Sequence, residues 1–414
     1  MMHRFLIIIS TIACLVCAGL VACGDDASSS APGNTESSAV EESSSSYSPQ
    51  SSSVAESSYS DTSGIVSVTA FVTDTFEVFA FGSFRINIVA DSFLTKFDYG
   101  DFVSVLVPGF DTLDVPVVAN YGDVFPGEFF LYASEGLDYI SLEARYGQMA
   151  EIIGLGREAE FPVGVVIRMK EKGGYVDHLE NLNSLAFSYS IDAYPGLSIE
   201  EFANFRMVST TGMGEGALYR SSSPVDPSIG RNTYADSLSA VAGVKTFINL
   251  ANNREYAETY KGFAESYYAA QDVVYLDVQP AFANSPFKEG LVKGFRFMVE
   301  HEGPYLVHCT YGMDRTGYTI AVLEALMGAT AEELKADYVK THQNFFSVNQ
   351  VALTPKQVEL IQAIIVRLMR NAYKVEGVDI SDFENVDLAA ATEKYLLALG
   401  MEKSEIDALK ERLR

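Results

Sequence analysis

One cysteine late in the chain constrains the fold more than any other feature. Residues 308–317 read His-Cys-Thr-Tyr-Gly-Met-Asp-Arg-Thr-Gly. Before them the apolar run Tyr305-Leu306-Val307 reads as the end of a strand, and after them Thr319 to Leu326 reads as a helix. A strand that feeds a glycine-bearing loop and then a helix is the building unit of an α/β sheet. The loop therefore crowns a helix N-terminus, where main-chain N–H groups and the helix dipole gather anions.

The residue types make that anion a phosphate. The N–H groups of Thr310, Tyr311, Gly312, Met313, Asp314 and Arg315 can ring a tetrahedral dianion, with Gly312 free to adopt a backbone angle that other residues resist. The same field favours the thiolate of Cys309, the form that attacks phosphorus. Arg315, six residues on, can grip two phosphate oxygens bidentately. Thr316 lies where its hydroxyl can reach the sulfur and ease its departure. Together these imply a two-step hydrolysis through a phosphocysteine. The leaving alcohol also needs a proton from a nearby carboxylic acid, and Asp314 and Asp277 are the two candidates. Asp277 directly follows Val273-Val274-Tyr275-Leu276, which reads as a strand. If Cys309 points into the pocket, His308 points away from it and orients rather than donates.

The motif His-Cys-x-x-Gly-x-x-Arg-Thr-Gly resembles the signature of the protein tyrosine and dual-specificity phosphatases. The Asp314-Arg315 pair is most similar to a bacterial branch whose loop reads Gly-Lys-Asp-Arg. Three upstream segments are similar to that branch as well: Ala203-Asn204-Phe205-Arg206, Leu218-Tyr219-Arg220-Ser221-Ser222 and Thr246-Phe247-Ile248-Asn249-Leu250. The resemblance implies an acid role for Asp314, while the spacing of Asp277 before the cysteine is similar to the mobile acid loop of the wider family. It implies phosphotyrosine as substrate, with dual specificity open. Met313 stands where the branch carries lysine, which takes a cation from the rim and weakens the alternative of a phosphoinositide or inositol phosphate substrate. A second alternative is a surface protein that binds phosphate or glycan without turnover, but a binding loop has no need of the nucleophile.

The other three cysteines, Cys14, Cys17 and Cys23, lie in the N-terminal segment. There Arg4 precedes an apolar run from Phe5 to Ala22, the layout of a signal peptide over residues 1–22. Leu20-Val21-Ala22-Cys23 resembles a bacterial lipobox, which implies lipidation at Cys23 and a place in the cell envelope, anchored to a membrane and facing outside the cytoplasm. Cys309 is then the one thiol left, with no disulfide partner. Residues 23–63 are serine-rich and hold seven acids and no base, too little apolar surface to fold, and read as a disordered tether. The formal net charge of −26 argues against nucleic acid as a partner and leaves a phosphorylated protein or small phosphomonoester. Local positive potential must come from Arg315, the helix termini and, as further candidates, Arg206 and Arg220.

Residues 64–186 carry β-branched and aromatic runs at turn-like spacing, punctuated by Pro108-Gly109 and Pro126-Gly127. They predict a small all-β sandwich or barrel whose aromatic residues form a core rather than a glycan-binding face. Residues 187–414 predict the α/β phosphatase domain, a parallel sheet flanked by helices, with a helical tail. Within it, Thr330 to Glu333 spells a capping box for a helix running to about Lys340, and Thr354 opens another with Val358, Ile361, Ile364, Ile365 and Leu368 at helical spacing. No histidine or cysteine spacing suits a metal, and no cofactor is expected.

Overall fold

The structure is a computed structural model that describes residues 58–62, 65–72, 82–156 and 159–414. The leader, Cys23, most of the tether and Phe76–Phe81, one of the aromatic runs expected to form a strand, lie outside the described residues.

The N-terminal half is a β-barrel. Its strands are β1 (Ser58–Thr62), β2 (Ile65–Val72), β3 (Phe84–Ile86), β4 (Phe102–Leu106), β5 (Leu113–Val118), β6 (Phe129–Tyr132), β7 (Ile140–Ala144) and β8 (Val163–Glu171). They run in the order β1-β2-β3-β7-β6-β5-β4-β8, and pairing of β2 with β8 closes β2 to β8 into a seven-stranded ring. Strand alternation turns Val103, Val105, Val115, Val117, Val165 and Ile167 inward, where Phe84, Phe93 and Phe97 help to fill the centre. The aromatic residues expected in the core are there. One sequence boundary shifts: Ser58–Thr62, inside the expected tether, is a strand paired antiparallel with β2. An edge strand gains main-chain hydrogen bonds from its neighbour and needs no apolar side chains of its own, so composition alone missed it.

The C-terminal half is a five-stranded sheet of order β12-β11-β13-β10-β9. Its strands are β9 (Arg206–Met207), β10 (Leu218–Ser221), β11 (Thr246–Asn249), β12 (Asp272–Tyr275) and β13 (Tyr305–His308). Four are parallel, but β9 pairs antiparallel with β10 at one edge, so the sheet is mixed rather than purely parallel. Chain reversal just before Leu218 brings β9 back as an edge, a geometry that needs no crossover helix. β11 and β13 are wholly buried. Phe247 and Leu306 face one layer, while Ile248, Tyr305 and Val307 face the other.

Helices α1 (Val176–Asn183), α2 (Asn232–Val241), α3 (Ser285–Glu300), α4 (Asp314–Met327), α5 (Ala331–Phe346), α6 (Pro355–Val375), α7 (Leu388–Ala398) and α8 (Lys403–Arg412) complete the fold with shorter turns. The Thr330 and Thr354 capping boxes both form, and α5 runs on past Lys340 to Phe346. Ile361, Ile364, Ile365 and Leu368 of α6 are buried as their spacing predicts. The two halves also share their cores. Phe125 of the barrel sits in the core of the sheet, and Ala283 of the sheet half sits in the core of the barrel.

Candidate active site

β13, the central strand, delivers Cys309 to the end of the sheet, where the thiol is free and only 3% exposed. The loop that follows is shaped from behind. Ser223 N–H donates to the Thr310 carbonyl (3.1 Å), and Ser222 Oγ donates to that of Tyr311 (3.1 Å). The Gly312 carbonyl accepts from Asn204 Nδ2 (3.1 Å) and Arg220 Nη2 (2.8 Å). In a trans peptide the N–H points opposite to the C=O. Pinning these three carbonyls outward therefore turns the N–H groups of Tyr311, Gly312 and Met313 inward, the arrangement an oxyanion needs.

Two glycines of the motif have a steric cause. Gly312 has φ +67°, and a Cβ there would come within 2.1 Å of the Ser221 carbonyl oxygen. Gly317 lets α5 approach, since a Cβ there would stand 2.7 Å from the Tyr338 ring. That close approach matters because Tyr338 Oη donates to Asp314 Oδ1 (2.9 Å).

Arg315 donates through Nη1 to the carbonyls of Leu250 (3.2 Å), Ala251 (3.4 Å) and Val278 (3.1 Å). All three bonds use one nitrogen, so they leave aside the Nε–Nη2 edge, which suits a bidentate grip. The Thr316 hydroxyl is buried with no hydrogen-bond partner among the described residues. Its expected bond to the sulfur is not formed here, and no other group among the described residues claims it.

The two candidate acids occupy different settings. Asp314 opens α4, half-buried and held by Tyr338. Asp277 is exposed at the end of β12, with φ +48°, and accepts from Asn253 Nδ2 (3.1 Å). His308 is fully buried on the far side of β13, its Nε2 3.4 Å from Tyr268 Oη. Burial pushes its pKa down to about 3, so the ring is neutral and faces away from the loop, as expected.

Arg206 and Arg220 do not supply free positive potential. Both pair with Asp337 of α5: Arg206 Nε donates to Oδ1 (2.8 Å), and Arg220 Nη1 donates to Oδ2. Burial pushes Asp337 up, but the two guanidiniums outweigh it and hold the carboxyl below its ordinary range. Glu324 of α4 lies in the same cluster. Burial raises it far above its ordinary value and the charge of Asp337 adds to the shift, so it stays protonated.

Residues 197–414 match the model of the tyrosine phosphatase family. The chain belongs to that family. The matched region takes in the loop, all five strands of the mixed sheet and the helical tail. No curated protein matches the chain. A solved structure described as an uncharacterized conserved protein from Thermotoga maritima is similar at 24% identity, over 24% of this chain and 35% of that one, with a TM-score of 0.20. The similar stretch thus spans about a third of that protein's length.

Sequence reasoning quoted Asn204 and Ser222 only as parts of similar segments, without a task. It missed Asp337 and Tyr338 entirely. Nothing local marks these two, because they reach the loop through packing of α5.

Proposed function

We propose that the protein is a phosphatase that hydrolyses phosphotyrosine, with phosphoserine and phosphothreonine as secondary substrates, through a phosphocysteine at Cys309. The observation that supports this best is the loop around Cys309, whose carbonyls at residues 310–312 are pinned outward by Ser223, Ser222, Asn204 and Arg220. In the first step the Cys309 thiolate attacks phosphorus, the bond to the leaving oxygen breaks, and Asp314 gives that oxygen its proton. In the second, the same carboxylate takes a proton from water as the water attacks the phosphocysteine. Phosphate departs, the thiolate is restored, and Thr316 eases the departure of the sulfur. Arg315 holds the equatorial oxygens through both steps. Asp277 is the alternative acid, more exposed and farther along the chain from the loop.

The same proposal places the enzyme on a bacterial envelope membrane, lipidated at Cys23 and facing outside the cytoplasm. Its support is the Arg4 start, the apolar run to Ala22 and the Leu20-Val21-Ala22-Cys23 tetrapeptide.

The test is the initial rate of phosphate release from a phosphotyrosine peptide, in EDTA, by the full-length protein in detergent and by its Cys309→Ser variant. Release that vanishes in the variant is expected. Equal release from both would sink the covalent mechanism.

A further inference from the structure

Asp314 is held by one of its two carboxyl oxygens. Oδ1 accepts from Tyr338 Oη (2.9 Å), while Oδ2 takes no hydrogen bond from the described residues. The phenol is committed in return. Tyr338 is only 1% exposed, and Asp314 Oδ1 is the one partner its hydroxyl has among the described residues. A buried O–H with a single acceptor in reach spends its hydrogen there, because an unmade bond in the interior is costly. Burial raises the phenol far above its ordinary range and the negative charge of Asp314 adds to the shift, so Tyr338 keeps its proton.

Packing fixes where that phenol stands. The Tyr338 ring lies against α4 at Gly317, where a side chain would collide with it. One turn further along α5, the His342 ring packs on it with centroids 4.8 Å apart, and His342 Nδ1 lies 3.1 Å from the Tyr338 carbonyl. The residue before it, Asp337, pairs with Arg220, which donates to the Gly312 carbonyl (2.8 Å). Two consecutive residues of one helix therefore reach the catalytic loop at two places: Asp337 at its wall, through Arg220, and Tyr338 at the acid.

We infer that Tyr338 is a positioning residue for Asp314 and that its hydrogen bond gives the two carboxyl oxygens different tasks. This rests on the phosphatase mechanism proposed above. Oδ1, which accepts from the phenol, is the carbonyl oxygen of the protonated acid, so the acidic hydrogen sits on Oδ2. In the first step that hydrogen passes from Oδ2 to the leaving oxygen as the bond to phosphorus breaks. In the second, Oδ2 takes a proton back from the attacking water. Tyr338 gives up no proton at either stage. Without its hydroxyl the carboxyl turns more freely, and the hydrogen spends part of its time on the oxygen away from the substrate.

Leaving-group dependence combined with a double-mutant cycle tests this. A mispositioned acid slows most those substrates whose leaving oxygen needs protonation, whereas a loosened pocket slows all alike. The full-length protein in detergent is assayed on phenyl phosphate and on p-nitrophenyl phosphate, whose leaving group needs little help, beside Tyr338→Phe, Asp314→Asn and the double variant. Tyr338→Phe keeps the ring that packs on Gly317 and His342. The ratio of kcat on the two substrates, taken on one preparation, does not depend on how much of that preparation is folded. We expect the ratio of phenyl to p-nitrophenyl phosphate turnover to fall about tenfold in Tyr338→Phe and about a hundredfold in Asp314→Asn. The double variant should match Asp314→Asn, since a residue acting through Asp314 has nothing left to position. An unchanged ratio in Tyr338→Phe, or a further fall in the double variant, would overturn the inference. An unchanged ratio in Asp314→Asn would overturn the reading of Asp314 as the acid, and this inference with it. Failure of the phosphocysteine chemistry shows separately, as wild-type turnover no greater than that of Cys309→Ser.

Discussion

The two halves of the molecule bury different things. The barrel interior is aliphatic and aromatic, and Asp101, its buried carboxylate, is fully answered: it accepts from Asp98 N–H (2.7 Å), Gly173 N–H (2.8 Å) and Lys172 Nζ (3.0 Å). The catalytic half buries Arg220, Arg231, His308 and Glu324, and each keeps a polar atom without a partner among the described residues. Arg231 pairs with no carboxylate among the described residues and lies 3.7 Å over the Phe345 ring and 4.4 Å over that of Phe202. The contrast teaches where each half spends its stability. The barrel is close to a simple packing solution, whereas the sheet tolerates costly buried polar groups because they shape the loop.

Three experiments press on that contrast. Arg220→Ala should have the largest effect, because it leaves Asp337 underpaired in the interior and removes a donor to the Gly312 carbonyl. Urea denaturation should show a loss of about 3–5 kcal/mol, and kcat of the remaining folded protein should fall as well. If stability drops and kcat holds, the buried pair serves packing alone.

Leu131→Ala in the barrel should cost about 2–5 kcal/mol through the cavity it leaves, with kcat per folded molecule within about twofold of wild type. A large change in kcat would mean that the barrel interior, and not just its contact surface, feeds the site.

The smallest effect near neutral pH is a pH dependence at His308. Folded, its ring stays neutral down to about pH 3, whereas in the unfolded chain it takes a proton below about 6.5. The unfolded state binds more protons between those values. Stability contributed by this group is therefore full above about 6.5 and is lost as pH falls, by about 1.4 kcal/mol per pH unit. His308→Gln should flatten this part of the stability profile, and an unaltered slope would assign it to other groups.

Much of this molecule was legible in the sequence. The barrel strands showed because a half-buried strand alternates, and β6 at Phe129–Tyr132 falls where its aromatic run does. The loop showed because its chemistry is local: strand, cysteine, glycine, arginine and helix follow one another without a gap. What stayed hidden depends on distant parts of the chain meeting. Asp337 and Tyr338 look like ordinary positions in an amphipathic helix until α5 packs on Gly317. Arg206 and Arg220 read as free cations because their shared partner is far along the chain.

The exchange of Phe125 and Ala283 between the two cores bears on how this protein can be taken apart. Domain swaps and truncations rely on a seam where one module ends before the next begins, and residues near 187 look like such a seam on paper. Here each module carries a plug for the other's interior. A catalytic half cut free at that point would lose the Phe125 side chain from its centre and present Phe282 and Ala283 to water, so the smallest transferable unit is the barrel and the sheet together.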